Sequence, residues 1–401
     1  MLTLEQLKEL AVKTPSKIVL LVMDGLGGLP QRDGMETELG TAKTPNMDRL
    51  AFAGSCGLSQ PVEPGITPGS APSHMSLFGY DPLRYGVGRG VLEALGIDFE
   101  LEPGDMAARG NFCTVDKKGV ITDRRAGRMS TEECARLCEE LKNIKIEGVT
   151  LFVLPVKEHR FALMMRSAGL QPDLADTDPQ REGMAPLPVT PLNKKAQATA
   201  KLVTRWINAA AAILKDRKTG NMVLFRGFST KPTLPSFDEV YRLKAAAIAA
   251  YPMYRGLAKL VGMDVVATGT TLDDELASLE ANYVKFDFFF LHVKGTDSAG
   301  EDGDFARKVR VIEQVDALVP RITRLNPDVL MITGDHSTPA SMKGHSWHPV
   351  PFLLSARWCR PDRLPKFSEE SCLKGHLGTF PALAAMPLAM AHALKLNKYG
   401  A

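Results

Sequence analysis

Three short apolar runs, each stopping abruptly on charged or imidazole side chains, constrain this chain more than any other feature. Ile18-Val19-Leu20-Leu21-Val22-Met23 ends at Asp24-Gly25, Phe286-Asp287-Phe288-Phe289-Phe290-Leu291-His292-Val293 runs toward Lys294 and Asp297, and Val329-Leu330-Met331-Ile332-Thr333 leads into Gly334-Asp335-His336. Runs this short and this apolar suit strands buried on both faces, the condition of a parallel sheet. Parallel strands need crossovers, and helical stretches fall between the runs. Thr44-Pro45 supplies an N-cap and a first-turn proline with Gly54 as the stop, while Phe305, Val309, Ile312, Val315, Leu318, Val319 and Ile322 form an amphipathic stripe. The expectation is an α/β fold with a doubly wound, mainly parallel sheet, its functional residues just past the C-terminal strand ends.

The region after the first run behaves otherwise. From Gly104 to Pro186 it offers short strands (Phe112–Val115, Gly148–Pro155, Phe161–Met165), a charged helix at Thr131–Leu141 and a loop from Leu170 to Pro186. This predicts a smaller α+β insertion over 106–186, with 1–105 and 187–401 forming the core. A chain of 401 residues has room for both. The apolar stretch Phe380–Leu394 contains Pro381, Pro387 and His392. It falls short of a membrane span and predicts a buried C-terminal helix interrupted at Pro387. Met1–Lys17 mixes leucine with Glu and Lys and lacks the apolar core of a signal peptide. Lys and Arg number 49 against 46 Asp and Glu, a net +3 that gives no basis for a nucleic-acid or membrane partner. Six scattered cysteines suit a reducing cytoplasm.

Asp24 taken alone is as much a turn residue as a functional one. Asp335-His336 at a second strand end changes the balance, because both side chains are metal-ligand types. Asp297 and Glu301 are four residues apart, so one helical turn puts both carboxylates on one face, where a shared cation relieves their repulsion. The alternative is a solvated acidic turn. His345 adds an imidazole shortly after the third run. Ser70 lies in Pro64-Gly65-Ile66-Thr67-Pro68-Gly69-Ser70-Ala71-Pro72-Ser73-His74, where it is expected to cap a helix among free backbone N–H groups suited to a phosphate. A serine hydroxyl is a weak nucleophile at neutral pH and a divalent cation activates it, so Ser70 needs the metal residues to make sense.

An Asp after the first strand, a Gly-Ser helix start, then Asp297 with Glu301, Asp335-His336 and a final His345, in that order, resemble the alkaline-phosphatase superfamily. Within it the chain resembles the archaeal-type 2,3-bisphosphoglycerate-independent phosphoglycerate mutases. Matching stretches include Thr44-Pro45-Asn46-Met47-Asp48, Leu77-Phe78-Gly79-Tyr80-Asp81-Pro82, Gly88-Arg89-Gly90-Val91-Leu92-Glu93-Ala94, Arg109-Gly110-Asn111-Phe112, Asp176-Thr177-Asp178-Pro179 and His345-Ser346-Trp347-His348-Pro349. The resemblance implies two divalent cations, one held by Asp24, Ser70, Asp335 and His336 and the other by Asp297, Glu301 and His345, with no bisphosphoglycerate required. It implies that Ser70 takes the phosphoryl group from 3-phosphoglycerate and returns it to the 2-hydroxyl, a step of glycolysis and gluconeogenesis.

Two positions depart from the family pattern: Glu301 stands where a histidine is usual, and Ala71 where an acidic residue usually follows the serine. Glutamate for histidine hardens the site, favouring Mn or Mg over Zn. The loss at Ala71 removes a charge beside the serine. The insertion is expected to close over the glycerate and keep water out. Arg124, Arg125 and Arg128 are candidates to grip a carboxylate or phosphate, the alternative being a solvated basic face. By resemblance, His159, Arg160 and Asp178 join them, with His159 or Asp178 in proton transfer. Lys294, just before the Asp297 turn, is placed to face the phosphate, the alternative being an ordinary strand-end lysine. Competing readings are a phosphatase, a phosphopentomutase-like or homoserine-kinase-like enzyme, or a non-catalytic homologue. The partner expected is a small phosphorylated molecule; these residues leave self-association open.

Overall fold

In the computed structural model, which describes residues 2–400, the three apolar runs are fully buried strands, Ile18–Met23, Phe288–Val293 and Val329–Thr333. They lie side by side: Leu21 faces Leu291 on one side and Ile332 on the other, both pairings parallel. Eight strands complete this sheet in the order Gly378–Pro381, Ser55–Gln60, Val350–Ala356, Val329–Thr333, Ile18–Met23, Phe288–Val293, Ala245–Ile248, Asp264–Val265. Val350–Ala356 runs against its two neighbours and the other pairings are parallel, so the mainly parallel α/β expectation holds. No helix of the described residues is long and apolar enough to cross a membrane.

The helix Phe305–Arg324 buries Ile312, Val315, Val319 and Ile322 in the same core as Leu21, Leu291 and Ile332, as its stripe requires. Its buried Asp316 accepts the first-turn N–H groups of Asn46 (3.3 Å) and Met47 (2.8 Å). That carboxylate caps the helix Pro45–Ala53 in place of Thr44, whose hydroxyl turns to Asp48 instead. The C-terminal stretch differs from expectation. Phe380 lies in the strand Gly378–Pro381, and the helix runs only from Ala385 to His392. Pro387 falls in its first turn, where the missing N–H has no intrahelical acceptor to lose, so it does not interrupt the helix.

The chain divides into two units, Met1–Gly86 with Leu234–Ala401, and Val87–Thr233. In the second, Met106–Val115 pairs antiparallel with Arg160–Arg166 and with Met222–Thr230, while Thr150–Lys157 adds to Arg160–Arg166 and Ile121–Asp123 joins near the end of Met106–Val115. The helices Thr131–Leu141 and Gln197–Leu214 bring Leu137, Leu141, Val203 and Trp206 into one core with Phe161 and Phe225. The expected limits at 106 and 186 are too narrow. Met222–Thr230 pairs along Met106–Val115, and the helix Arg89–Gly96 lies so close to that strand that a Cβ on Gly90 would stand 2.2 Å from the Ala107 carbonyl oxygen. Both ends of the unit therefore belong to its own sheet.

Candidate active site

Each of the three central strands delivers a side chain to the same point beyond its C-terminal end. The chain turns sharply after Asp24 through Gly25 at φ +65°, where a Cβ would meet the Thr338 hydroxyl oxygen at 2.5 Å. Asp24 is thereby buried, its Oδ2 accepting from the Tyr254 phenol and from Lys294 Nζ at 3.0 Å. From the neighbouring strand, His292 Nε2 lies 3.2 Å from the same oxygen. Asp335 Oδ1 accepts the Gly25 N–H at 3.0 Å, and its Oδ2 lies 3.1 Å from His74 Nδ1 and 3.2 Å from His336 Nε2.

Ser70 is the first residue of the helix Ser70–Leu77, with Gly69 at the cap position where the serine itself was expected. The difference suits the chemistry, because a capping hydroxyl would be tied to its own helix. Ser70 Oγ instead lies 3.2 Å from His336 Nε2, beside the free N–H groups of the helix start. The helix is held in turn by His74, whose Nδ1 is 2.8 Å from the Ser70 carbonyl.

Asp297, in the helix Gly295–Glu301, accepts the Thr338 hydroxyl at 2.8 Å and lies 2.5 Å from Lys294 Nζ. His345 Nε2 is 3.5 Å from Asp297 Oδ1, and the His345 ring stacks on His336 with centroids 3.7 Å apart. His345 Nδ1 is 2.8 Å from the Pro68 carbonyl, which can only accept, so that nitrogen carries the proton. His336 Nδ1 is 3.0 Å from the Thr338 hydroxyl oxygen, which, having given its own hydrogen to Asp297, accepts. Both Nε2 atoms are left facing carboxylate oxygens, the arrangement by which an outer hydrogen bond orients a metal-binding imidazole.

The electrostatics agree. Burial works to raise the Asp24 carboxyl, but the Lys294 ammonium and the His292 ring hold it well below the usual carboxylate range. Burial and Asp24 work against Asp297 in the same way, yet His345 and Lys294 bring it to about 2. Burial pulls His345 down while Asp297 carries it up to about 9, so the space between these two attracts positive charge. Asp24 Oδ1 and Asp335 Oδ2 are buried without a hydrogen-bond partner. Oxygen and imidazole donors, ionised and incompletely paired, fit a divalent cation. Two groups could each hold one, with ligand atoms all within 4.8 Å of one another: Asp24, Asp335 and His336, and Asp297, His336 and His345. Glu301 belongs to neither; its side chain is 56% exposed and lies 3.9 Å from His345 Nε2.

Comparison with known proteins places this geometry in a family. A family model described as 2,3-bisphosphoglycerate-independent phosphoglycerate mutase matches residues 51–219. A Thermus thermophilus protein described as a probable mutase of that kind is 52% identical over 400 residues, 98% of each chain. The chain belongs to the 2,3-bisphosphoglycerate-independent phosphoglycerate mutase family. A Thermotoga maritima member described in the same words is 51% identical over 399 residues, 99% of each chain. Among solved structures, the cofactor-independent phosphoglycerate mutase of Thermoplasma acidophilum is similar at TM-score 0.66 and 30% identity, covering 94% of this chain and 100% of its own. A Pyrococcus horikoshii protein reaches TM-score 0.84 at 29% identity, covering 97% and 100%.

The mutase family member carries its remaining expected residues in the Val87–Thr233 unit. Arg124 is not open to a ligand on all sides: it makes a fork with Asp178, at 3.1 and 2.7 Å. Arg125 and Arg128 are exposed. Arg160 is half-buried, 3.7 Å from Glu158. His159 is buried, and burial together with Arg160 and Arg109 drives its pKa down to about 3, so it stays neutral and is a weak base. A denser cationic cluster surrounds Arg109, whose pKa is lowered to about 10 by burial and by Arg89, Arg160 and Arg226, with Glu93 at 3.8 Å opposing them. Arg109 Nε, Asn111 Oδ1, Glu93 Oε2 and His159 Nδ1 are buried without hydrogen-bond partners.

Sequence reasoning did not single out Arg109, Arg226 and Glu93, nor His74, Tyr254, His292 and Thr338 in the other unit. The alternation of Arg109 and Asn111 across Gly110 was a signal for the first group. His74 ends the stretch that carries Ser70, and His292 stands inside the second apolar run. Thr338 stood two residues past Asp335-His336, in a stretch that also matches the family, and Tyr254 had no signal of its own.

Proposed function

We propose that this chain interconverts 3-phosphoglycerate and 2-phosphoglycerate without 2,3-bisphosphoglycerate, using Ser70 as the phosphoryl acceptor. The observation that carries this reading is the position of Ser70 Oγ, 3.2 Å from His336 Nε2 at the edge where Asp24, Asp297 and Asp335 converge. Asp24, Asp335 and His336, with Ser70, would hold one divalent cation, and Asp297 and His345 a second, which Glu301 would join only by turning its exposed side chain inward; the oxygen-rich donor set favours Mn or Mg. A cation bound there would lower the serine pKa and offset phosphate charge.

The chain's own residues do the rest. Ser70 Oγ bonds to phosphorus as the bond to the 3-oxygen breaks, the serine proton ending on that oxygen; the glycerate 2-hydroxyl then bonds to phosphorus as the Oγ–phosphorus bond breaks, its proton restoring the serine hydroxyl, so no water is consumed. Backbone N–H groups at the start of Ser70–Leu77 receive the phosphoryl oxygens, and the Lys294 ammonium balances charge beside them. Within the Val87–Thr233 unit, the arginines around Arg109 offer forked guanidinium donors of the kind suited to a carboxylate. The insertion's part is to retain glycerate during turnover. The six free cysteines, five of them buried, fit a reducing cytoplasm.

The test is a coupled mutase assay of wild type and Ser70→Ala with no added bisphosphoglycerate. Loss of the nucleophile is expected to lower kcat/KM by about a thousandfold or more. Undiminished turnover by the variant would remove Ser70 from the mechanism, and phosphate release by the wild type without 2-phosphoglycerate would make the enzyme a phosphatase.

A further inference from the structure

Lys308 is fully buried on the sheet-facing side of Phe305–Arg324, one turn before Ile312. An ammonium there is costly, and an apolar side chain would fill the same space without the desolvation. Its Nζ donates to the carbonyls of Gly27 and Thr338, both at 2.9 Å, and lies 4.0 Å from Glu38 Oε1. Two carbonyls take two of the ammonium's hydrogens, and the Glu38 carboxylate, beyond hydrogen-bond reach, faces its charge. Glu38 is itself fully buried and accepts the Ala340 N–H at 2.7 Å.

The partners matter for where they lie. Gly27 follows Asp24 on the loop leaving Ile18–Met23, and Thr338 follows Asp335-His336 on the loop leaving Val329–Thr333. The Gly27 carbonyl also accepts the Thr338 N–H at 3.0 Å, so one oxygen ties both loops to each other and to the helix beneath. The Thr338 hydroxyl then reaches Asp297 at 2.8 Å and His336 at 3.0 Å. A single ammonium thus touches the loops leaving two of the central strands, and the Thr338 hydroxyl extends the link to Asp297 in the helix that follows the third.

We infer that Lys308 is a positioning residue: its ammonium holds the loops of Asp24 and of Asp335-His336 in the register that metal binding needs. The inference rests on the metal-dependent reading above. A residue that only filled the core would affect melting temperature and leave metal affinity in the folded protein unchanged.

The experiment titrates the full-length protein with Mn2+ alone, free ion being read by electron paramagnetic resonance well below the melting temperature. Wild type, Lys308→Met and the paired variant Lys308→Met with Glu38→Leu are compared, with circular dichroism reporting the fold. The folded variants are expected to bind Mn2+ about ten- to a hundredfold more weakly, the range seen when outer-shell partners of metal ligands are lost. Wild-type affinity in a folded variant would overturn the inference while leaving the metal reading intact. Loss of fold in both variants would also overturn it, making Lys308 a folding residue. Absence of Mn2+ binding by the wild type would instead overturn the metal reading itself.

Discussion

Tyr254 lies on a helix far from Asp24 in sequence, yet its phenol donates to the Asp24 carboxylate and its ring stacks on His292 with centroids 3.6 Å apart. Burial and Asp24 push its own pKa well above the ordinary tyrosine value, so it is a fixed donor at any working pH. Tyr254→Phe is therefore expected to weaken Mn2+ binding by about tenfold or more while leaving the fold intact, checked by calorimetric titration. Glu275 offers a second test of single groups. Burial raises its carboxyl from 4.5 to about 8, against one hydrogen bond from the Ala250 N–H at 3.2 Å. Folded protein thus binds a proton that the unfolded chain releases, and stability contributed by this group falls as pH rises from 4.5 through about 8. Glu275→Gln is expected to flatten the decline of melting temperature across that window; an unchanged slope would assign it to other groups. Neither residue was legible beforehand. Asp24, Asp335, His336 and His345 were legible because each interrupts or closely follows an apolar run, whereas Tyr254 and Glu275 sit on ordinary helical patterns and acquire their roles only from what the fold sets against them.

Periodicity served the elements well where burial is two-sided or helical. Ile18–Met23 and Val329–Thr333 agree with their apolar runs to the residue, and the helix Thr131–Leu141 lies where a charged helix was expected. It failed where an element's identity is decided by a distant partner. Met222–Thr230 contains an apolar run broken by Arg226-Gly227, and only its pairing with Met106–Val115, irregular between Ala107 and Arg109, shows which unit it belongs to. Gly90 expresses the same dependence, since its need for glycine comes from the Ala107 backbone and not from its own helix. Gly90→Val is expected to destabilise the protein by about 1–3 kcal/mol, measured by urea unfolding, through overpacking against that strand. Mn2+ affinity should be unchanged, because every candidate metal ligand lies outside Val87–Thr233.

At the scale of the molecule, the functional reading depends on chain segments from residue 24 to residue 345 meeting at one strand edge. A mainly parallel sheet achieves this because all its parallel strands end on the same side, so loops remote in sequence become neighbours there. Family membership accounts for the order of those segments, and the geometry gives the order a chemical meaning. The direct measurement is mass spectrometry of the protein after incubation with 3-phosphoglycerate and Mn2+, quenched in acid and digested. A single phosphoryl group on the peptide bearing Ser70, absent when the metal is chelated, is the predicted result. Phosphate found on a different residue, or on Ser70 with the metal removed, would contradict the account.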